Sequence, residues 1–343
     1  MEPKDLDKYS RQILFHGIGR DGQQRLSQAS AVLVGCGAIG TAVANLLVRS
    51  GIGRLRILDR DFVESSNLQR QVLFEESDAR ESLPKAVAAE RRLRAINSEA
   101  NVEGMVVDLT PDNATDLLTG FPLILDGTDN FETRLLVNDA AVSLGIPWIY
   151  TAAVGSYGVT MTVIPGETAC LACLFEGREQ AAGLEETCDT AGILNAAVGV
   201  VASMEAAEAL KILTGRREAL HQRLVSCDVW TGRLQSIGVA RDPACRACVR
   251  RDFRYLSGAA QPHITMCGRD SIQIHERNRS LDLNELGDRL TAASASDIRR
   301  NEFLLRFRVP PYEMTVFANG RAILKGTRDP VIARSIYARY IGT

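Results

Sequence analysis

The sequence feature that most constrains the fold is a glycine-rich turn between an apolar run and a helical pattern. The apolar residues AVLV lead into GCGAIG at residues 35–40, and a second apolar run ends at Asp59. Glycines spaced GxGxxG let backbone amides and a helix N-terminus approach a phosphate, and an acidic residue about 20 positions later typically binds the ribose. The pattern predicts a nucleotide site, although any α/β sheet can contain a glycine-rich turn. The predicted nucleotide contacts are Gly35, Gly37, Gly40 and Asp59.

Apolar runs alternate with helical patterns between residues 31 and 150. The candidate strands are 31–35, 54–59, 102–107, 123–126 and 148–151, and the candidate helices are 40–50, 85–97, 110–119 and 133–144. This alternation predicts an α/β fold with a Rossmann-like, mostly parallel sheet and crossover helices. Residues 156–166 and 223–240 alternate with a period of two, which predicts antiparallel strands that extend the sheet.

The character of the sequence changes after about residue 256, and a stretch rich in small residues and proline (255–263) predicts a linker. The pattern beyond it predicts a strand at 271–275, a helix at 283–292, a hairpin around 317–324 and a final helix at 329–340. Asn319-Gly320 is a strong turn signal for that hairpin, because both residues tolerate a positive φ angle. We therefore expect two domains, residues 1–255 and a small α+β domain at residues 262–343.

The composition argues against several classes of protein. The formal net charge of -2 shows no excess of basic residues, so nucleic acid is not an expected partner. The charged start MEPKDLDKYSRQ lacks the apolar segment of a signal peptide. The longest apolar run, residues 191–213, is interrupted by Asn195, Glu205, Glu208 and Lys211, which predicts a buried helix and not a membrane span. The eight cysteines indicate a reducing cytoplasm, where metal binding or thiol chemistry is more expected than disulfides.

The sequence after the fingerprint, DRDFVESSNLQRQ at residues 59–71, is polar where an ordinary Rossmann fold would enter its next helix. It contains Asp61, Asn67 and Arg70, and Lys85 follows at the start of a candidate helix. A nicotinamide cofactor does not need this second pair of cations, whereas the departing pyrophosphate of a triphosphate does. Taken singly, each residue would more often be a solvated surface charge. Together they predict a triphosphate site.

A second polar cluster, ILDGTDNFETR, places Asp126 and Asp129 at the end of another candidate strand. Ligands of open α/β sheets bind at the carboxyl ends of the strands. Because a carboxylate usually faces a triphosphate through magnesium, we expect Mg²⁺ at this edge of the sheet.

Four cysteines form two CxxC pairs. They are Cys170, Cys173, Cys245 and Cys248. Four thiolates in two such pairs match a tetrahedral structural zinc site. More than 70 residues separate the pairs, so unrelated reduced cysteines remain the alternative on spacing alone.

Several motifs together resemble the MoeB/ThiF/HesA family, the prokaryotic relatives of ubiquitin-activating enzymes. They are YSRQILFHGIGRDGQQRLSQASAVLVGCGAIG, LDRDFVESSNLQRQ, DGTDNFETR and the CxxC pairs, and they span roughly residues 7–250. The resemblance implies an adenylyltransferase that uses ATP and Mg²⁺ to activate the C-terminal glycine of a small β-grasp sulfur carrier protein ending in Gly-Gly. It also implies a homodimer, with Zn²⁺ at the paired cysteines.

The resemblance further implies roles for individual residues. The nucleotide would contact Gly35, Gly37 and Gly40, with its ribose at Asp59. The phosphates would lie among Ser66, Asn67, Arg70 and Lys85, with Mg²⁺ at Asp129. Arg11 would reach into the site of the other subunit. The loop between Arg70 and Lys85 is slightly longer than the family pattern.

Cys188 lies apart from the CxxC pairs, in the loop sequence GLEETCDTAGILN that precedes the apolar helix. A loop cysteine is accessible, and the N-terminus of a following helix stabilises a thiolate. The resemblance to the ThiF-like branch implies sulfur-transfer chemistry at Cys188. An incidental loop cysteine is the equal alternative.

Alternative functions remain open. A nicotinamide-dependent oxidoreductase would also contain GCGAIG and Asp59, but no His/Lys or Tyr/Lys catalytic pair is recognisable. A catalytically inactive dimeric scaffold of the same fold is a third alternative. Within the favoured class the main choices are thiamine and molybdopterin carriers, with a sulfur donor protein as a further partner; Cys188 and the C-terminal domain favour the thiamine branch. That domain could dock the carrier or the donor, or could simply stabilise the dimer by packing.

Overall fold

The computed structural model describes most of the chain, namely residues 7–175, 192–259, 271–274, 281–292, 295–318, 320–327 and 329–342. The backbone forms two compact units, residues 1–261 and 262–343. The linker expected at 255–263 extends beyond the described residues, and Asn319 of the expected hairpin turn also lies outside them. No helix within the described ranges is long and apolar enough to cross a membrane.

A large mixed sheet organises the first unit. Its strands are β1 (Ser30–Val34), β2 (Arg54–Asp59), β3 (Asn101–Val106), β4 (Ile124–Asp126), β5 (Trp148–Val154), β6 (Tyr157–Val163), β7 (Leu224–Asp228) and β8 (Arg233–Ile237). They lie in the order β3-β2-β1-β4-β5-β6-β7-β8; β1 to β5 pair in parallel, and β6 to β8 continue the sheet in antiparallel pairs. The expected Rossmann-like sheet with an antiparallel extension is therefore confirmed.

Helices cover both faces of this sheet. They are α1 (Ser10–Leu14), α2 (Gly19–Gln28), α3 (Ala38–Ser50), α4 (Glu76–Glu81), α5 (Lys85–Ile96), α6 (Ala114–Leu118), α7 (Phe131–Leu144), α8 (Leu171–Phe175) and α9 (Asn195–Leu213). Helices α3, α5 and α9 share one core with Leu33 of β1, whereas α6 and α7 share the other with Val32 and Val34. Successive side chains of a strand point to opposite faces, so β1 contributes to both cores.

The carboxyl ends of β1 and β4 lie side by side near the middle of the sheet. Strand β1 pairs with β2 on one side and with β4 on the other, so the strand order reverses at this point. Open α/β sheets bind their ligands in the crevice at such a reversal. Gly35 directly follows β1 and Gly127 directly follows β4, which places both glycines at this crevice.

Some elements differ from the sequence predictions. Helix α3 begins at Ala38 and not at residue 40, because Gly37 already serves as its N-cap. Helix α6 is shorter than the expected 110–119. Asn113 is its N-cap residue, and the Asn113 side chain accepts a hydrogen bond from the Thr110 amide in the turn that precedes the helix. Helix α4 was not predicted, because its sequence ESDARE has no apolar periodicity.

The second unit is a five-stranded antiparallel sheet with two helices. Its strands, in the order β10-β11-β12-β13-β9, are β9 (Ser271–Ile274), β10 (Ser296–Arg300), β11 (Leu304–Val309), β12 (Tyr312–Phe317) and β13 (Ala322–Lys325), and its helices are α10 (Leu283–Ala292) and α11 (Pro330–Tyr340). An apolar core of its own includes Phe307, Met314 and Tyr337. The expected α+β class is confirmed, but strands β10 and β11 were not predicted.

Candidate active site

Three glycines pack backbone to backbone where β1 and β4 end. A Cβ atom at Gly35 would lie 2.6 Å from the Gly127 carbonyl oxygen, and Gly35 has a φ of +88°. A Cβ atom at Gly40 or at Gly127 would lie 2.2 or 2.1 Å from the Gly35 carbonyl oxygen. These contacts leave no room for a side chain, so the packing of the two strand ends requires all three glycines. Gly127 was missed by the sequence analysis, although its place directly after an apolar run in ILDGTDN was an available signal.

Gly37 differs from these three. It is the N-cap of α3 with a φ of −83°, a value that other residues also adopt. The nearest atom to a Cβ there would be the Gly127 carbonyl oxygen at 3.7 Å, which is an ordinary contact. A Cβ atom at this position would therefore not overlap the surrounding chain. Instead, the bare backbone leaves open space beside the first amides of α3, where an anion is stabilised.

The Asp59 carboxylate ties the glycine loop to the polar segment after β2. Its Oδ2 accepts a hydrogen bond from the Cys36 amide at 2.6 Å, and its Oδ1 accepts one from the Asp61 amide at 2.7 Å. Burial, together with the nearby Asp61 carboxylate, raises the pKa of Asp59 to about 6 against the opposing effect of Lys85. Asp59 is thus at the predicted place, but much of its hydrogen-bonding capacity already serves the backbone.

Lys85 brings a buried positive charge to the same edge. Its Nζ lies 3.3 Å from Asp61 Oδ2, and its backbone amide donates to the Asp61 carbonyl at 2.8 Å. Burial lowers the pKa of Lys85, but the carboxylates of Asp61, Asp59 and Asp129 outweigh it and raise the pKa above its usual value. Lys85 is therefore a cation at neutral pH. Asp61, which had no assigned role from sequence, holds it at the site.

The loop between β2 and α4 contains the other predicted phosphate contacts. Asn67 is buried, and its Oδ1 accepts a hydrogen bond from the Glu64 amide at 3.0 Å. The Arg70 Nη1 donates to the Ser66 carbonyl at 2.8 Å, while the Ser66 side chain is exposed. Asn195 at the start of α9 donates to the Gln69 carbonyl at 3.2 Å. These bonds fix the course of the loop and hold Arg70 against it.

An ion pair that was not predicted from the sequence joins the ends of β2 and β3. Arg60 Nη1 lies 2.8 Å from Asp108 Oδ2, and Arg60 Nε lies 3.8 Å from Asp61 Oδ1. Burial lowers the pKa of Arg60, but these two carboxylates raise it more, so the guanidinium stays charged. Polar residues at the ends of adjacent parallel strands were the signal that could have indicated this pair.

The two aspartates after β4 have different environments. Asp126 is 1% exposed, and its Oδ2 lies 3.0 Å from Arg134 Nε on α7. Its Oδ1 accepts hydrogen bonds from the Thr128 amide and hydroxyl at 2.9 and 2.7 Å. Asp129, in contrast, is exposed and close enough to Lys85 to affect its pKa. Asp126 therefore shapes the turn, and Asp129 is an exposed carboxylate near Lys85.

Two predicted residues are not brought to this edge by the described chain. Arg11 lies exposed on α1, and no hydrogen bond or ion pair in the described residues joins it to the glycine loop. Cys188 lies outside the described residues. The roles that the family resemblance implies for both therefore stay predictions.

The CxxC cysteines converge into one cluster. The four Sγ atoms of Cys170, Cys173, Cys245 and Cys248 all lie within 4.8 Å of one another. The separations are 3.9 Å for Cys170–Cys173, 3.7 Å for Cys170–Cys245 and 3.5 Å for Cys173–Cys248. Tetrahedral zinc with Zn–S bonds of about 2.3 Å separates its sulfurs by about 3.8 Å. The donor set and its spacing therefore fit a zinc ion.

Helix α7 connects this cluster to the sheet edge. Asn138 Oδ1 accepts a hydrogen bond from the Leu171 amide beside the first pair at 2.8 Å. Asp139 forms a buried two-pronged ion pair with Arg246 inside the second pair, at 3.0 and 3.1 Å. The same helix positions Arg134 near its N-terminal end, so one rigid element holds both sites.

A sheet reversal with a glycine crevice, a buried lysine and an exposed aspartate defines a nucleotide-binding α/β protein. Within that class, the chain belongs to the ThiF family, whose model matches residues 9–247. This confirms the resemblance that the sequence motifs indicated.

Comparisons with individual proteins agree with this membership. The chain is 45% identical over 339 residues to the sulfur carrier protein ThiS adenylyltransferase of Bacillus subtilis, covering 98% of this chain and 99% of that protein. It is 40% identical over 250 residues to the sulfur carrier protein adenylyltransferase of Thermus thermophilus, covering 71% and 91%. The crystal structure of Escherichia coli MccB with ATP superimposes with a TM-score of 0.62 at 26% identity, covering 70% of this chain and 74% of that one.

Proposed function

We propose that the protein is an adenylyltransferase that uses ATP to activate the C-terminal glycine of a small β-grasp sulfur carrier protein ending in Gly-Gly. The observation that carries this proposal is the convergence of the open Gly37 backbone, the buried Lys85 cation and the exposed Asp129 at one sheet edge. The names of the relatives from Bacillus subtilis and Thermus thermophilus support the substrate class. These names favour an adenylyltransferase over a nicotinamide-dependent oxidoreductase.

The reaction needs no nucleophile from the protein. A carboxylate oxygen of the carrier attacks the α-phosphorus of ATP, and the bond between the α-phosphorus and its bridging oxygen breaks. Pyrophosphate leaves with that electron pair, and an acyl-adenylate remains. Catalysis by this chain would therefore consist of positioning and of charge neutralisation. A sulfur donor would then displace AMP from the acyl-adenylate to give the thiocarboxylate.

The residues at the sheet edge fit these tasks. The open backbone at Gly37 and the N-terminal amides of α3 would receive a phosphate, and Lys85 and Arg70 would neutralise charge on the leaving pyrophosphate. Asp59 retains lone pairs that a ribose hydroxyl could use beside its two backbone bonds. Asn67 would act by holding the loop, because its Oδ1 is occupied by a backbone amide.

Asp129 fits a magnesium ligand. An exposed carboxylate is the usual protein contribution to a Mg²⁺ site beside phosphates, and Asp129 would be the ligand that this chain supplies. The ion would supply charge neutralisation on the triphosphate.

The proposal also includes a homodimer and a structural zinc ion. Arg11 is exposed on α1 and does not join its own glycine loop in the described residues, which is compatible with a role in the other subunit of a homodimer. The cysteine cluster would hold a structural zinc ion, since four protein ligands leave no open position for a substrate. Thiols kept in such a cluster suit a reducing cytoplasm.

We assign the carrier to the thiamine branch. The Bacillus subtilis relative is named for ThiS and matches over nearly the whole chain, the second unit included. Transfer of sulfur through Cys188 would follow adenylation, and replacing Cys188 would then spare the adenylation step.

The test is ATP–pyrophosphate exchange that depends on an added carrier protein of the ThiS type. Asp129→Ala should abolish exchange and leave the unfolding temperature unchanged, because Asp129 is exposed. The matched control is Asp116→Ala, which removes an exposed aspartate from α6. Normal exchange by Asp129→Ala would refute the magnesium role. A wild-type protein that shows no carrier-dependent exchange, and binds NADH in preference to Mg–ATP, would refute the proposed function.

A further inference from the structure

Glu205 is a buried carboxyl group on helix α9 that the reaction described above does not use. It is 0% exposed, and its Oε1 accepts a hydrogen bond of 3.0 Å from the Asp126 amide at the end of β4. Burial first, and then the neighbouring Asp126 carboxylate, raise the pKa of Glu205 well above its usual value. Glu205 therefore acts as a neutral hydrogen-bond acceptor, and Asp126 is the partner of the Arg134 cation.

Glu205 holds Asp126, the last residue of β4, whose side chain anchors the turn that follows the strand. Asp126 accepts the Thr128 amide and hydroxyl, and Arg134 Nη2 donates to the Thr128 carbonyl at 2.6 Å. Asp129 directly follows this turn and projects from it toward solvent. The direction of the Asp129 carboxylate is thus set by a buried network of hydrogen bonds. Glu205 supports that network from helix α9.

Helix α9 also contacts the loop between β2 and α4, which contains Arg70. Asn195, at its first residue, donates to the Gln69 carbonyl next to Arg70. The same rigid helix therefore holds the turn of Asp129 through Glu205 and the loop of Arg70 through Asn195. Side chains that must meet the same triphosphate gain precision from such shared support.

We propose that Glu205 is a positioning residue for adenylation, which holds the Asp126–Thr128 turn so that Asp129 meets the magnesium ion in the proposed function on which this inference rests. Only the acceptor oxygen is needed, so an amide can replace the neutral acid. Loss of outer partners of a metal ligand typically weakens metal binding by about tenfold or more.

Glu208 provides a matched control on the same helix. It is 3% exposed, and it accepts hydrogen bonds from the Thr162 hydroxyl at 2.8 Å and from the His221 amide at 3.2 Å. It is thus similarly buried, but it serves the antiparallel strands and pairs with Lys211 Nζ at 2.5 Å. Replacing Glu208 tests what the loss of a buried, partnered carboxyl on α9 does away from the Asp126–Thr128 turn.

The experiment compares the variants Glu205→Met, Glu205→Gln and Glu208→Met of the full chain. Carrier-dependent ATP–pyrophosphate exchange is measured against Mg²⁺ concentration, and amide hydrogen exchange is followed for the peptide that spans residues 124–131. For Glu205→Met we expect half-saturation at about tenfold more Mg²⁺ and faster amide exchange in that peptide. Glu205→Gln and Glu208→Met should keep the wild-type half-saturation and the wild-type protection of this peptide.

The outcomes distinguish failure of the positioning role of Glu205 from failure of the proposed function. A merely structural role would reduce the amount of active protein without shifting the Mg²⁺ dependence, and that result in Glu205→Met would overturn the positioning role. If Glu205→Met does not fold, a shifted Mg²⁺ dependence in Glu205→Gln would overturn it instead, because the acceptor is still present. Absence of exchange in the wild type refutes the proposed function, and the amide exchange of residues 124–131 still tests the support of the turn.

Discussion

Individual glycines at the sheet edge perform two different tasks. Gly35, Gly40 and Gly127 lie so close together that a Cβ atom at any of them would overlap backbone atoms at 2.6 Å or less. Gly37, in the same fingerprint, has no neighbour closer than 3.7 Å to its virtual Cβ. The fingerprint therefore combines packing glycines with one glycine that leaves space for a ligand.

Substituting alanine should separate these tasks. Gly40→Ala should lower the free energy of unfolding by about 1–3 kcal/mol, as overpacking a tight interior does. Gly37→Ala should cost at most about 1 kcal/mol, the usual loss at an N-cap, but should markedly weaken ATP binding because the methyl group occupies the phosphate space. Urea unfolding and calorimetric ATP titration measure the two effects. Unchanged ATP affinity in Gly37→Ala would contradict the assignment of that space to a phosphate.

Sequence patterns predicted much of the site at this scale, because its residues lie at or just after the ends of apolar strands. Asp59 is the last residue of β2 and Asp129 follows β4, so the apolar runs alone predict that both lie at one edge of the sheet. The partners of these residues could not be expected in the same way. The pairing of Lys85 with Asp61, and of Glu205 with the Asp126 amide, depends on helices that return from distant parts of the chain.

At the scale of elements, helix α7 is the connection between the cysteine cluster and the crevice. Its Arg134 holds the turn before Asp129, whereas Asn138 and Asp139 fasten the segments of the two CxxC pairs. All three polar side chains are buried, so the helix is a scaffold for two sites and not only a layer of the core.

The Asp139–Arg246 pair should therefore contribute strongly to stability. Asp139→Asn removes the negative charge that faces the buried Arg246 guanidinium, and we expect a loss of about 3–5 kcal/mol in the free energy of unfolding. The exposed pair Arg217–Glu167 is the control, and Glu167→Gln should change stability by less than about 1 kcal/mol. Urea titrations in the presence of Zn²⁺ measure both variants. Similar losses of unfolding free energy in Asp139→Asn and Glu167→Gln would show that the buried pair does not fasten the second CxxC segment.

Elements were predictable where hydrophobicity alone defined them. The parallel strands β1 and β4 are buried on both faces and follow continuous apolar runs. Strand β11 was not predicted, and its sequence LLRFRV interleaves arginines with apolar residues. One of those arginines, Arg306, pairs with Glu313 on β12, a contact between strands that becomes visible only when the hairpin is formed.

At the scale of the whole molecule, the two compact units differ in how widely relatives share them. The Bacillus subtilis relative matches over 99% of its length, which includes the second unit. The Thermus thermophilus relative matches over 250 residues that make up 91% of its own length. A chain with the length of the first unit alone is therefore sufficient for a protein named as a sulfur carrier protein adenylyltransferase. The second unit adds something other than the sheet edge with its glycine crevice.

A chain ending at Gln261 should retain the adenylation step. Every residue assigned to the crevice belongs to the first unit, which has its own two apolar cores, and the second unit has a separate core around Phe307. We expect the shortened chain to unfold cooperatively and to keep carrier-dependent ATP–pyrophosphate exchange at saturating carrier. Titrating the carrier against the full and shortened chains then tests the second unit itself. A higher carrier requirement in the shortened chain would indicate a docking role, whereas complete loss of exchange in a folded chain prepared with Zn²⁺ would contradict the independence of the first unit.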